Sequence, residues 1–373
     1  MPRSIFLYAA PDTSADLLHA TGFRAPDPFA FLETAGRRAV LLNDLEIDRA
    51  KTEARVDDIE SFSELERSLG ASSSVRPPLE AVLAAWLASK KVKAVRVPAD
   101  FPFGLARALK KHGIDAKPAK GALYPERELK APAEIEGLAA ATALAETGMA
   151  RAMEVLRGSN IRRDQSLVWC RKPLTSEILR FEIECAILRA GGEARGDSIV
   201  ACGEQACDPH ARGTGPLKAR QLIIVDIFPR HARSGWFGDI TRTVVRGRPS
   251  EAQQRLWETC LEGQRIALGQ LAPGVAGRGI HNGVKDFFNR SGYPTRIHNG
   301  RWEGFFHGTG HGLGLEIHES PRFAEATFQP GHVVTVEPGL YIPGTGGVRH
   351  EDVAVVTATG SRLLTSFPKE LAL

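Results

Sequence analysis

No stretch of this sequence is apolar for long enough to cross a bilayer, and charge of neither sign is in large excess. The formal net charge is only +4 over 373 residues, and the lysines and arginines are scattered rather than striped. Neither a membrane nor a nucleic acid is therefore expected as a partner. The N-terminal MPRSIFLYAAPD holds a six-residue apolar run ended by Pro11 and Asp12, too short for a secretory signal, so a cytoplasmic location is expected. Five cysteines, an odd number in a long chain, argue against a disulfide framework. Three of the Cys/His residues, Cys202, Cys207 and His210, make a C-x4-C-x2-H cluster. A structural zinc would want a fourth ligand and tighter pairing, so these read as small core cysteines near an unrelated histidine. No glycine-rich phosphate loop follows any strand candidate in the first 125 residues, which leaves nucleotide binding without support.

What is present is an ordinary globular balance, 43% apolar and 25% charged, in a chain long enough for about two domains. Early on, strand-like runs (Ser4–Ala9, Arg38–Leu42, Lys93–Val97) alternate with helical patterns (Pro78–Lys90, Phe103–His112), predicting a small α/β domain. The proline- and charge-rich KGALYPERELKAPAEIE suggests a boundary, giving domains 1–127 and 128–373. A long alanine-rich helix follows over about Glu134–Leu156. Thr175 or Ser176 caps a helix running to Arg189, and Ser250 with Gln253 forms a capping box for another that reaches about Leu268. The strand candidates Leu222–Phe228, Ile240–Arg246, His332–Val336 and Asp352–Thr357 have connections too short for parallel crossovers. They predict antiparallel hairpins, hence an α+β second domain.

Two of these hairpins share a construction. LIIVD ends at Asp226 and Asp239 opens GDITRTVV; VVTVE ends at Glu337 and Glu351 opens EDVAVV. Pairing across each loop would set the two acids of a hairpin opposite one another, with Cβ atoms roughly 4.5–5.5 Å apart. The segments between them, IFPRHARSGWFG and PGLYIPGTGGVRH, read as loops, and the repetition suggests an internal pseudo-repeat. Four clustered carboxylates cannot all stay ionised without compensation, because each raises the others' pKa. Two divalent cations would cancel them. GFFHGTGHGLGLEIHESP adds His307, His311 and His318, but its glycines make a helix improbable, at about 1 kcal/mol for each interior glycine. One imidazole fits as a fifth ligand. Such an oxygen-rich set suits manganese, cobalt or iron(II) more naturally than a structural zinc. Two metals would hold a bridging water with a pKa near ~7, giving hydroxide for hydrolysis.

GFFHGTGHGLGLEIHESP, VVTVEPGLYIPGTGGVRHED and VDIFP…GWFGDITRT together resemble the pita-bread metallopeptidases, and the resemblance extends over essentially the whole chain. PDPFAFLE and LLNDLEIDRAK look like a creatinase/prolidase-type N-terminal domain. The resemblance implies an α/β N-terminal domain before a pita-bread catalytic domain with two divalent metals, manganese first, with cobalt, iron or zinc as alternatives. It implies metal ligation by Asp226, Asp239, His311, Glu337 and Glu351, with Asp239 and Glu351 bridging and Glu337 also the proton acceptor. His318 and His210 would face the substrate, and Arg349 would orient a ligand carboxylate. His307 is read either as packing around the ligands or as a substrate contact, and His350 as a candidate for supporting a ligand. Phe228–Pro229 departs from the glycine common in the family and concerns the rim of the pocket. The glycines of the histidine segment would let the backbone pass close to the metals.

Methionine aminopeptidases generally lack such an N-terminal domain, so the resemblance points to the branch that cuts Xaa-Pro bonds. The substrate implied is a small peptide with proline at its second position. Arg322, in HESPR, falls where prolidases pair an arginine with the dipeptide's free carboxylate, although a plain surface arginine would look the same. An Xaa-Pro dipeptidase is the first reading, an aminopeptidase on longer Xaa-Pro peptides the second, and a non-catalytic binding or scaffold protein the third. A homodimer is implied by the resemblance alone.

Overall fold

The computed structural model describes residues 4–71, 75–193 and 195–373. The chain divides after Pro125 into two compact units. In the first unit, β1 (Ile5–Ala9), β2 (Phe29–Thr34), β3 (Arg37–Leu42), β4 (Asp58–Ser61), β5 (Ala94–Val97) and β6 (Asp115–Pro118) form one sheet, in the order 4-3-2-1-5-6. Strands β1 to β3 pair antiparallel, whereas β4, β5 and β6 add parallel strands at the edges. The strands read as continuous apolar runs because both faces are covered. Phe6, Ala30, Leu32 and Leu41 meet helix α4 (Leu79–Ser89) on one face. Ile5, Leu7, Phe29, Phe31 and Val40 meet α1 (Ala15–Thr21) on the other. Helices α2 (Ile47–Glu53), α3 (Phe62–Ser68) and α5 (Phe103–Lys111) complete the unit.

In the second unit, α6 (Pro132–Arg157) and α7 (Ser176–Arg189) share a core with β7 (Ile199–Cys202), β8 (Leu222–Ile227) and β9 (Ile240–Val245). Helices α8 (Glu251–Gln270) and α9 (Gly277–Arg290) do the same for β10 (Val333–Val336), β11 (Gly339–Ile342), β12 (Gly346–Arg349) and β13 (Asp352–Val356). The helix starts follow local chemistry. Thr175 Oγ1 accepts the Ile178 N–H at 3.3 Å, and Ser250 and Gln253 exchange bonds of 2.9 and 3.2 Å. Strand β8 pairs antiparallel with both β7 and β9, and β10 pairs antiparallel with β13. The two halves are stitched together where Arg349 N–H donates to Thr243 Oγ1 and Thr243 Oγ1 to the Arg349 carbonyl.

Both segments read as loops contain paired strands. Arg230–His231 pairs with Gly192–Glu193, and PGLYIPGTGGVRH is the β11–β12 hairpin, Leu340 facing Val348. Its density of glycine and proline hid an apolar alternation from the sequence reading. Among the described residues, no helix is long and apolar enough to cross a membrane.

The start of β9 is fixed by contact with α6. A Cβ on Gly238 would lie 2.2 Å from the Ala141 carbonyl oxygen. Gly238→Ala is therefore expected to destabilise the fold by about 1–3 kcal/mol, measured by urea denaturation. A midpoint unchanged from wild type would show that the helix and strand can separate freely.

Candidate metal centre

Asp226 lies in the last turn of register of β8, and Asp239 stands one residue before β9. The pairing sets Asp226 opposite Thr241, so the two acids are diagonal neighbours and not directly opposed as the sequence suggested. Diagonal positions on one face lie roughly 7–8 Å apart, within reach of a shared ligand but too far for direct contact. In the second hairpin Val336 faces Asp352, and Glu337 and Glu351 follow one step beyond. There the backbones part. Glu351 N–H donates to the Thr241 carbonyl (3.1 Å) and Glu337 N–H to that of Thr309 (2.7 Å).

The histidine segment is extended, as its glycines suggested. Residues 309–313 lie beside β10, with Thr335 N–H bonded to the His311 carbonyl (2.8 Å) and Leu313 N–H to that of Val333 (3.1 Å). One glycine has a further role: a Cβ on Gly310 would sit 1.9 Å from the Thr335 carbonyl oxygen, so glycine there permits the strand contact, while Gly308 and Gly310 also line the cavity described below.

His311 reaches the acids from this added strand: its Nε2 is 3.3 Å from Glu337 Oε1 and 3.6 Å from Asp239 Oδ2. One ligand atom from each of Asp239, His311 and Glu351 lies within 4.8 Å of the others. Among the described residues, this is the group of three His, Cys, Asp or Glu side chains arranged to hold an ion. Asp226 lines the same cavity. Its Oδ2 accepts Arg349 Nη2 at 2.6 Å, while its Oδ1 is buried without a hydrogen-bond partner. A buried oxygen left bare costs about 1–3 kcal/mol or more, which a cation would recover. His311 Nδ1 lies 3.1 Å from the Gly312 carbonyl and donates to it, which leaves the Nε2 lone pair turned toward carboxylate oxygens. Lone pair facing lone pair needs a positive centre between them. The donor set fits divalent cations.

The electrostatics agree. Burial, and then the neighbouring acids, push Asp239 and Glu351 well above the usual carboxylate range. Glu337 is pushed up to about 7, mainly by burial. Burial lowers His311 to about 4, so its imidazole is neutral. Arg349, itself buried, supplies positive charge: besides Asp226 it donates to Tyr341 Oη (3.0 Å), Thr241 Oγ1 (3.3 Å) and the Pro209 carbonyl (3.3 Å). Thr241 Oγ1 in turn donates to Glu351 Oε2 at 2.7 Å, and Thr335 Oγ1 to Glu337 Oε1 at 3.2 Å. These threonines, and Tyr341, were missed by sequence reasoning. A signal existed: Thr241 is two residues after Asp239 and Thr335 two before Glu337, on the same faces of their strands.

A cavity of about 540 Å³ opens onto the acids. His210, His307, His311 and His318 line it with Ile199, Phe228, Phe306 and Ile317. His307 both lines the cavity and packs into the wall, its Nε2 2.8 Å from Tyr341 Oη; burial lowers its pKa to about 3. His318 is exposed, and its ring stands edge-on to that of His311 with centroids 4.4 Å apart. Arg322 is exposed and outside the lining, though near enough for its charge to act on His311 and His318. His350 turns instead to Trp257, its Nε2 3.3 Å from that residue's carbonyl. The Cys202–Cys207–His210 cluster does not assemble. Cys202 Sγ faces the Lys218 carbonyl, Cys207 is buried, and His210 is exposed at the cavity.

Four carboxyl groups and a neutral imidazole converging on one cavity define a divalent-cation site of the kind found in metallohydrolases. Residues 136–358 match the model for metallopeptidase family M24, and the chain belongs to that family. It is 28% identical over 293 residues to the Xaa-Pro dipeptidase of Pyrococcus horikoshii, covering 77% of each chain. Other curated relatives align over about half their own length, 56% and 49% in two cases. Among solved structures, the prolidase from Pyrococcus horikoshii OT3 matches with TM-score 0.78 at 25% identity, covering 99% of this chain and 95% of that one. The X-Pro aminopeptidase from Thermotoga maritima MSB8 matches in fold with TM-score 0.83 at 22% identity, covering 99% and 97%.

Carboxyl pKa values raised in the folded state stabilise the fold below the unfolded pKa, and that contribution is lost as pH rises through the folded value. With Glu337 at about 7, the metal-free protein is expected to lose thermal stability between about pH 5 and 8. Divalent cations should restore it most strongly at the upper end, with release of protons. Melting curves across this range, with chelator and with Mn²⁺, provide the check. A metal-free melting temperature that rises with pH would contradict the assignment.

Proposed function

We propose that the protein is an Xaa-Pro dipeptidase dependent on two divalent cations, manganese by preference, held by Asp226, Asp239, His311, Glu337 and Glu351. The observation that carries the reading is the convergence of these side chains on one cavity, with a bare buried oxygen on Asp226. The likeness in sequence to a dipeptidase supports the choice of substrate. A homodimer is proposed on the family resemblance, and a cytoplasmic location on the short N-terminal apolar run and the odd number of cysteines.

When bound, cations of this type polarise a carbonyl and lower the pKa of water toward about 7. The chain's own groups supply the rest. Glu337, which lines the cavity, takes a proton from the attacking water on its carboxylate and delivers it to the departing proline nitrogen. His210 and His318 donate hydrogen bonds to the substrate carbonyl oxygen. Arg349 holds Asp226 in place. Ile199, Phe228, Phe306 and Ile317 give the proline ring an apolar surface and exclude water. The bond before proline has no N–H, and nothing in this arrangement requires one.

An aminopeptidase acting on longer Xaa-Pro peptides is the second reading, favoured by one observation. Arg322, the candidate partner of a dipeptide's carboxylate, is not in the cavity wall. Assays of Xaa-Pro beside Xaa-Pro-Yaa peptides separate the two. Cleavage confined to dipeptides supports the first, and equal cleavage of tripeptides the second. Failure on both, in protein shown to hold its metal, would indicate a binding protein. Glu337→Gln is expected to reduce turnover by about 10²–10⁴-fold while the protein stays folded by circular dichroism. Near-normal turnover in that variant would remove Glu337 from its role.

A further inference from the structure

The stretch just before α6 carries two cations that the chemistry above does not use. Lys130 has a side chain only 1% exposed, and its Nζ is 2.6 Å from Glu319 Oε1. Arg127 Nη2 is 2.8 Å from Glu319 Oε2 and 2.8 Å from Glu316 Oε2. Glu319 is itself 6% exposed on its side chain, and its Oε2 also accepts the Glu316 N–H at 3.2 Å. A carboxylate and an ammonium so buried are expensive to desolvate, and an apolar pair of similar volume would often be as stable. Their presence calls for a reason other than stability.

Position supplies one. Glu319 closes a turn: its N–H donates to the Gly312 carbonyl (3.0 Å) and Gly312 N–H to that of Pro321 (3.0 Å). Between Gly312 and Glu319 lie Ile317 and His318, both in the cavity wall, and His311 immediately precedes the turn. His318 is exposed and, among the described residues, has no side-chain hydrogen bond recorded to the protein; its ring leans edge-on against His311. Its place is therefore set by the backbone of the turn. Lys130 ties that turn to the sheet, because its own N–H donates to the Gly331 carbonyl (2.8 Å) at the approach to β10. Its Nζ also bonds the Arg127 carbonyl.

We propose that Arg127, Lys130 and Glu319 form a buried ionic clamp that holds the 312–319 turn and so positions His318 over the cavity. They are positioning residues for a group that meets the substrate. The inference rests on His318 facing the substrate, and it adds a specificity of place that an apolar contact, free to slide, would not give.

The test uses the full-length protein loaded with Mn²⁺ and two variants. Glu319→Gln leaves Lys130 buried without its counter-charge, whereas Glu319→Gln with Lys130→Met removes the Lys130–Glu319 pair together, while Arg127 keeps Glu316 as its partner. In the doubly substituted protein kcat for an Xaa-Pro substrate is expected to fall about 10- to 100-fold, with KM within about twofold, as for a misplaced catalytic contact. In a His318→Ala background the same pair should cause little further loss, because both act through one side chain. Equal losses in the two backgrounds would overturn the proposal. A second readout does not depend on turnover: in protein loaded with diamagnetic Zn²⁺, since Mn²⁺ would broaden nearby signals, the imidazole cross-peak of His318, assigned by its disappearance in His318→Ala, should move in the doubly substituted variant. An unmoved peak would also overturn it. A moved peak in a protein that cleaves no Xaa-Pro peptide would retain the clamp and reject the assigned substrate.

Discussion

Four carboxyl groups drawn to the wall of one cavity repel each other, and the arrangement of the second unit follows from containing that repulsion. One guanidinium, Arg349, stands inside the group and bonds Asp226. It is in turn held by Tyr341, by Thr241 and by the Pro209 carbonyl, so its charge has a fixed place. Threonine hydroxyls satisfy one oxygen each on Glu351 and Glu337. Asp226 keeps one buried oxygen without a partner, and one ligand atom each of Asp239, His311 and Glu351 lies within 4.8 Å of the others. A single positive side chain cannot balance four acids, and burial holds three of them toward the protonated state until cations replace the protons.

The scaffold meets this demand twice with one device. An apolar strand buried against helices delivers an acid at its end, and its antiparallel neighbour begins with another. Helices α6 and α7 support the first pair of strands, and α8 and α9 the second. The acids are thus carried by strand termini whose other residues are fully committed to the core. Core packing fixes such positions more firmly than loops could. The added strand at 309–313 then inserts an imidazole between the two acidic pairs.

Much of this was legible in the residues. The strands bearing Asp226, Asp239, Glu337 and Glu351 were marked by short β-branched runs, and the helix starts at Thr175 and Ser250 by their capping side chains. The antiparallel pairing followed from the shortness of the connections. Less legible was anything that depended on register. The pairing of Asp226 with Thr241 shifts the first acid pair to a diagonal, and a shift of that kind leaves no trace in spacing alone. The β11–β12 hairpin was masked by its glycines and prolines, which signal turns even when they permit close strand contact. Arg322 shows another limit: its place in the chain matched a motif, but its exposure is a tertiary fact that spacing does not give. Thr241 and Thr335 were recoverable from the period of two, had polar residues inside apolar strands been weighed together with the acids.

His311 is set in a strand whose backbone bonds run to β10, and the Arg349 contacts to Asp226 join protein atoms only. Much of the placement of these groups is therefore made by bonds within the polypeptide, in contrast to a zinc finger that collapses around its metal. A site placed in this way leaves the choice of cation to coordination preference and to the ions on offer.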